Sequence, residues 1–96
     1  MANTFYFSHD YSTRNDEKIK RLLRKHGALG YGLFWFIIED LYNNNNNLTL
    51  DYEGLAFDYR ADENTISSVI NDFDLFVIDG GFFGSKSVEQ RIIKMQ

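Results

Sequence analysis

The sequence predicts an α+β domain of the winged helix-turn-helix type, with a short three-stranded sheet that includes a β-hairpin wing. Three observations lead there. Apolar residues recur at helical spacing in successive segments, a brief β-like run at Leu48-Thr49-Leu50 separates the second helix from the next, and Gly80-Gly81 joins two β-rich runs near the end. The resulting order is helix, helix, strand, short helix, helix, hairpin, which is the order of a winged helix. Ninety-six residues suffice for one domain. With 44% hydrophobic and 17% aromatic residues, the chain has the apolar surface a folded core requires.

The first helix is expected to start at Asn15 or Asp16, either of which can cap it, and to end at His26-Gly27. Ile19, Leu22, Leu23 and His26 fall on one face, the core side. Before it, Thr4–Ser8 (TFYFS) alternates as a short strand does. The second helix is expected from about Leu29 to Asn43. Leu33, Ile37 and Leu41 form one apolar stripe and Tyr31, Trp35, Ile38 and Tyr42 another. Glu39, Asp40 and Asn43 supply the polar side, with Phe36 out of place among them. The asparagines 43–47 end the helix, because Asn tolerates left-handed backbone. Asp51 caps a brief helix over about 52–59, and Asp62 caps a third main helix over about 63–73. That third helix turns Ile66, Val69, Ile70 and Phe73 to the core. Runs 75–79 and 82–85 then pair across Gly80-Gly81. Residues 1–91 are taken as the winged-helix domain and 92–96 as the start of a linker.

Several strings carry a resemblance to a known family: FSHDYS, the basic RNDEKIKRLLRKHG helix, the GYGLFW turn into the second helix, and SVINDFDLF before GGFF. Together they resemble the N-terminal winged-helix domain of phage and prophage replisome organisers, which are replication-initiation proteins of DnaD-like layout. The resemblance covers residues 5 to about 91. It implies DNA and replication proteins as partners, and a C-terminal region beyond this domain.

The net charge of −4 argues against nucleic acid, but its distribution is uneven. Residues 14–26 hold six of the ten basic residues, opposed only by Asp16 and Glu17, whereas residues 27–85 hold ten acids and one base, Arg60. Arg14, Lys18, Arg21 and Lys25 recur at helical spacing as an outward stripe, with Lys20 and Arg24 on its edge. Such a stripe can track phosphates, dock on an acidic protein surface, or be an ordinary solvated face. On the third helix Asn64, Thr65, Ser67, Ser68 and Asn71 form the outward face, where a winged helix reads DNA. Asp62, Glu63, Asp72 and Asp74 flank that helix, which has no Lys or Arg, so a solvated polar face is the competing account. Tyr31, Trp35 and Phe36 exceed the needs of one thin core and are candidates for an interface between copies. The competing account has Thr4–Ser8 and the C-terminal segment covering them.

Catalytic readings fail on the residues. There is no Cys, His9 and His26 lack partners at metal-ligand spacing, and Glu39-Asp40 point apart on a helix. Gly27, Gly30 and Gly32 lack the preceding strand and following Lys-Ser/Thr of a phosphate loop. No enzyme activity, metal, cofactor or small-molecule substrate is expected. With no leader pattern and no apolar run near ~18 residues, the setting is expected to be cytoplasmic, away from membranes. The sequence thus leads to a non-catalytic module of a phage-type DNA replication initiation protein that contributes DNA binding and assembly. The alternative is a protein-protein or homo-oligomerisation module with no DNA contact of its own.

Overall fold

The computed structural model describes residues 16–85, 87 and 88. The expected strand at Thr4–Ser8, the stripe residue Arg14, the alternative cap Asn15 and residues 89–96 lie outside them. The described chain is α+β, with α1 (Glu17–Asn43), β1 (Leu48–Thr49), α2 (Tyr52–Tyr59), α3 (Glu63–Asn71), β2 (Val77–Asp79) and β3 (Phe82–Gly84). The two helices expected at the start are one broken helix, with Gly27 at φ 64° and ψ −153° between its halves. Only glycine holds that backbone without strain. Three residues on, a Cβ at Gly30 would collide with the His26 side chain, so Gly30 lets the two halves approach closely.

Aspartate caps each helix, as the sequence suggests. Asp16 accepts from Lys18 N at 2.7 Å, Asp51 from Gly54 N at 3.1 Å, and Asp62 from Thr65 N at 3.1 Å. At the far end of α1, Asn45 and Asn46 take positive φ of 56° and 60°, and Asn46 N donates to Leu41 O at 2.7 Å. The asparagine tract therefore ends the helix in the left-handed manner expected of it.

The three strands form one antiparallel sheet in the order β1-β3-β2. Asp79 pairs with Phe82 across the Gly80-Gly81 turn, and Leu48 pairs with Phe83 on the other side of β3. One core holds both halves of α1, the buried face of α3 and the inner face of the sheet. It joins Ile19 and Leu22 to Leu33, Ile37 and Leu41, then to Ile66, Val69, Ile70 and Phe73, and to Phe76 and Phe83. The aromatic residues that looked surplus in the sequence tie α1 to the sheet. Tyr31 meets Trp35 edge-on, Trp35 meets Phe34, Phe34 meets Phe76, and Phe76 meets Phe83, with ring centroids 5.3–6.3 Å apart.

A second tether is polar. The Asn46 side chain donates to Ser85 O and accepts from Ser85 N, both at 2.9 Å. It thereby pairs with the peptide of the buried Ser85 as a neighbouring strand would. Two substitutions check this packing by urea denaturation. Ile70→Ala, at a site 1% exposed, is expected to cost roughly 2–5 kcal/mol. Asn46→Ala is expected to cost about 1–3 kcal/mol, because it strands two backbone groups of Ser85. Losses below about 0.5 kcal/mol at both positions would contradict these assignments.

Candidate functional site

The sequence offered two separate places for nucleic-acid contact, one on the first helix and one on the third. They share one surface. His26 Nε2 and Ser68 Oγ share a hydrogen bond at 2.8 Å, and the imidazole meets Phe73 edge-on at 5.8 Å. Along the same seam Lys25 pairs with Asp72 at 3.8 Å, and Lys18 pairs with Asp74 at 3.3 Å. The first half of α1 therefore lies beside the last turn of α3 and the loop leaving it. Arg21 and Arg24 are exposed on α1 and make no ion pair among the described residues. Lys20 pairs with Glu17 within its own helix at 3.8 Å. The basic residues thus divide into two tied toward α3, one tied locally and two open to solvent.

On α3, the outward residues do not act alike. Asn64 is exposed, while Ser67 and Thr65 are half-buried. Ser68, expected to face outward, is half-buried between α3 and α1, where it holds His26. Asn71 is exposed but engaged, donating to Tyr52 Oη at 2.9 Å and to Ser67 O at 2.8 Å. This leaves Asn64, Ser67 and Asn71 as a polar strip between α2 and the basic ridge of α1. The acids on its borders remain: Asp62 caps the helix, Glu63 opens its first turn, and Asp72 and Asp74 hold the lysines.

The three interface candidates also separate. Trp35 is only 8% exposed and Tyr31 is half-buried, because both belong to the aromatic chain that reaches the sheet. Phe36 is 48% exposed and stacks on Tyr59 with centroids 5.4 Å apart. The Tyr59 hydroxyl donates to Asp40, and burial, then that hydrogen bond and nearby carboxylates, push its pKa upward. Leu29, seven residues before Phe36 and 59% exposed, falls on the same helical face. Gly32 lies between them with open space where a side chain would be. Leu29 and Gly32 were not read as interface residues from the sequence, although their spacing from Phe36 was legible there.

Among the described residues no three His, Asp or Glu side chains converge on a metal position, and no helix is long and apolar enough to cross a membrane.

The family model for the Lin1244/Lin1753-like N-terminal domain matches residues 6–88. The chain belongs to this family. The match takes in every described element of the Lin1244/Lin1753-like domain, from the capped start of α1 to the end of β3. No curated protein and no solved structure matches the chain.

The seam between α1 and α3 makes an ordered prediction for stability. Its ion pairs are solvent-exposed, so Asp72→Asn and Asp74→Asn are each expected to cost no more than about 1 kcal/mol, less in high salt. Ser68→Ala removes the partner of a half-buried imidazole and is expected to cost about 1–2 kcal/mol. Thermal denaturation at low and high salt gives both numbers. A Ser68 variant as stable as the parent would contradict the packing assigned to His26.

Proposed function

We propose that this domain is a winged-helix, non-catalytic module of a phage-type replication-initiation protein, and that it holds DNA on the joint surface of α1 and α3. The element order supports the winged-helix reading. α2 and α3 follow β1 as a helix-turn-helix, and the β2-β3 hairpin follows as a wing whose inner strand also pairs with β1. The single observation that carries the function is the seam joining Lys25 to Asp72 and His26 to Ser68. It sets the exposed guanidinium groups of Arg21 and Arg24 on the helix that flanks the polar strip of α3. Phosphates have Arg21 and Arg24 to meet, while Asn64 and Ser67 have hydrogen-bonding groups for base edges or sugars. The surrounding carboxylates keep the contact weak and dependent on salt, a property suited to a module that acts within a larger assembly.

The exposed stripe Leu29–Gly32–Phe36 favours a second role in assembly. It is apolar, it lies on the solvent side of α1, and no described residue covers Leu29. A second copy of the chain is the occupant we propose, because the basic segment 14–26 and the acidic segment 27–85 complement each other between copies. In that case light scattering on the concentrated protein finds a dimer, and Phe36→Ser lowers the apparent mass while circular dichroism stays unchanged. A parent chain that is monomeric at high concentration would remove this role and leave the DNA reading standing.

For the DNA reading, fluorescence anisotropy with a labelled duplex is the test. Binding is expected to weaken with salt at a log-log slope of roughly −2 to −3, about 0.9 per phosphate contact. Reversing both Arg21→Glu and Arg24→Glu is expected to abolish it. Asp72→Asn, which frees Lys25, is expected to strengthen it by about threefold and steepen the slope. A slope near zero, or binding indifferent to the double reversal, would contradict the proposal.

A further inference from the structure

The turn that carries α2 into α3 holds the one basic residue between Gly27 and Ser85, Arg60. Its backbone is left-handed, with φ 55° and ψ 48°, and its N–H closes α2 on Ala56 O and Phe57 O. Glycine or asparagine usually takes such a position, because other side chains are strained there. The turn alone therefore gives no reason for an arginine. Its guanidinium supplies one: Cζ stands 5.0 Å from the centre of the Phe57 ring, in cation-π contact.

Tyr52, Leu55, Ala56 and Tyr59 are the inward residues of α2, at i, i+3, i+4 and i+7. Phe57 falls on the opposite side and is 68% exposed, more than any other large apolar residue described. With one ring face against Arg60, exposure of that size leaves the other face to solvent. An aromatic ring and a guanidinium held together at a surface suit unpaired nucleic acid. The ring takes the face of any base, while the guanidinium meets a phosphate or continues the stack. A duplex cannot use such a pair, because its base faces are already stacked on one another. Asp58, Asp62 and Glu63 are exposed around it and oppose phosphate. Stacking is indifferent to their charge, so the pair selects for unpaired bases ahead of negative charge. Its place also fits the surface described above. Lys25 and Asp72 mark the far end of α3, and Asn64 and Ser67 lie between the two ends. The nine residues of α3 span about 13 Å, the length of about four stacked nucleotides of one strand.

We infer that Phe57 and Arg60 form a stacking platform for an unpaired base, so that the domain takes single-stranded DNA in preference to duplex. The inference rests on the DNA reading of α1 and α3 and names the form of DNA that surface holds. One base stacks on the open face of Phe57 and a neighbouring phosphate meets the Arg60 guanidinium. The strand then continues past Asn64 and Ser67 toward Arg21 and Arg24. Duplex binds through the phosphate contacts alone, and therefore more weakly.

The test uses the full chain and fluorescence anisotropy, with a short labelled DNA strand of mixed sequence and with the same strand in duplex form. The parent is expected to bind the single strand about tenfold more tightly. Phe57→Ala is expected to remove that preference and leave duplex binding unchanged, while Phe57→Tyr keeps it. Arg60→Gly suits the left-handed backbone, so it is expected to keep the melting temperature and still weaken single-strand binding. Single-strand binding indifferent to Phe57→Ala, or lowered in equal measure with duplex binding, would overturn the inference. Duplex binding that still answers to the Arg21 and Arg24 reversal would in that event leave the wider DNA reading standing. A parent that binds neither form would contradict that reading, and this inference with it.

Discussion

At Gly27 the backbone takes φ 64° and ψ −153°, and the arrangement of everything downstream depends on the change of direction made there. Continuous helix through this point would carry Ile19 and Leu22 away from the core that Leu33, Ile37 and Leu41 enter. With the break, both halves contribute to the same cluster and α3 packs against them. Glycine is required twice over: a side chain is strained at Gly27, and a Cβ at Gly30 would strike His26. The first half is thereby laid along α3, and His26 is carried to Ser68.

The same geometry decides the electrostatics. A helix rich in lysine and arginine comes to rest beside a loop carrying Asp72 and Asp74, so two of its lysines are partly neutralised within the chain. These pairs are exposed and individually weak. Their effect is on the local field, which is left positive at Arg21 and Arg24 and mixed along the seam. Under the proposed DNA role, such a surface would meet phosphates weakly and with a strong dependence on ionic strength. The apolar stripe through Leu29 and Phe36, on the other half of α1, is separate from it. One helix, broken once, thus presents a charged surface and an apolar one.

Much of the fold was legible wherever the signal was local. The spacing of Ile66, Val69, Ile70 and Phe73, the three aspartate caps and the Gly80-Gly81 turn each depend on neighbours in sequence, and each stands as expected. What was not legible depends on residues far apart. Asn46 looked like part of a helix terminator, and its pairing with the peptide of Ser85 spans 39 positions. Trp35 and Tyr31 looked surplus because nothing local announces that Phe34 will lead to Phe76 and Phe83. Ser68 looked solvent-facing because a helical wheel does not know where the other helix lies. Of the candidate site, the basic residues were evident from composition. Their union with α3 was not, since it follows from the direction of the chain after Gly27.

We propose that α1 and α3 act as one DNA-facing surface. Chemical-shift mapping of the labelled chain during titration with a short duplex tests it most directly, because every described amide reports at once. Shifts are expected to cluster on Arg21, Arg24 and Lys25 together with Asn64, Ser67 and Asn71, and to fade together as salt is raised. Shifts confined to the β2-β3 hairpin or to the Leu29–Phe36 stripe, or no shifts at low salt, would contradict it.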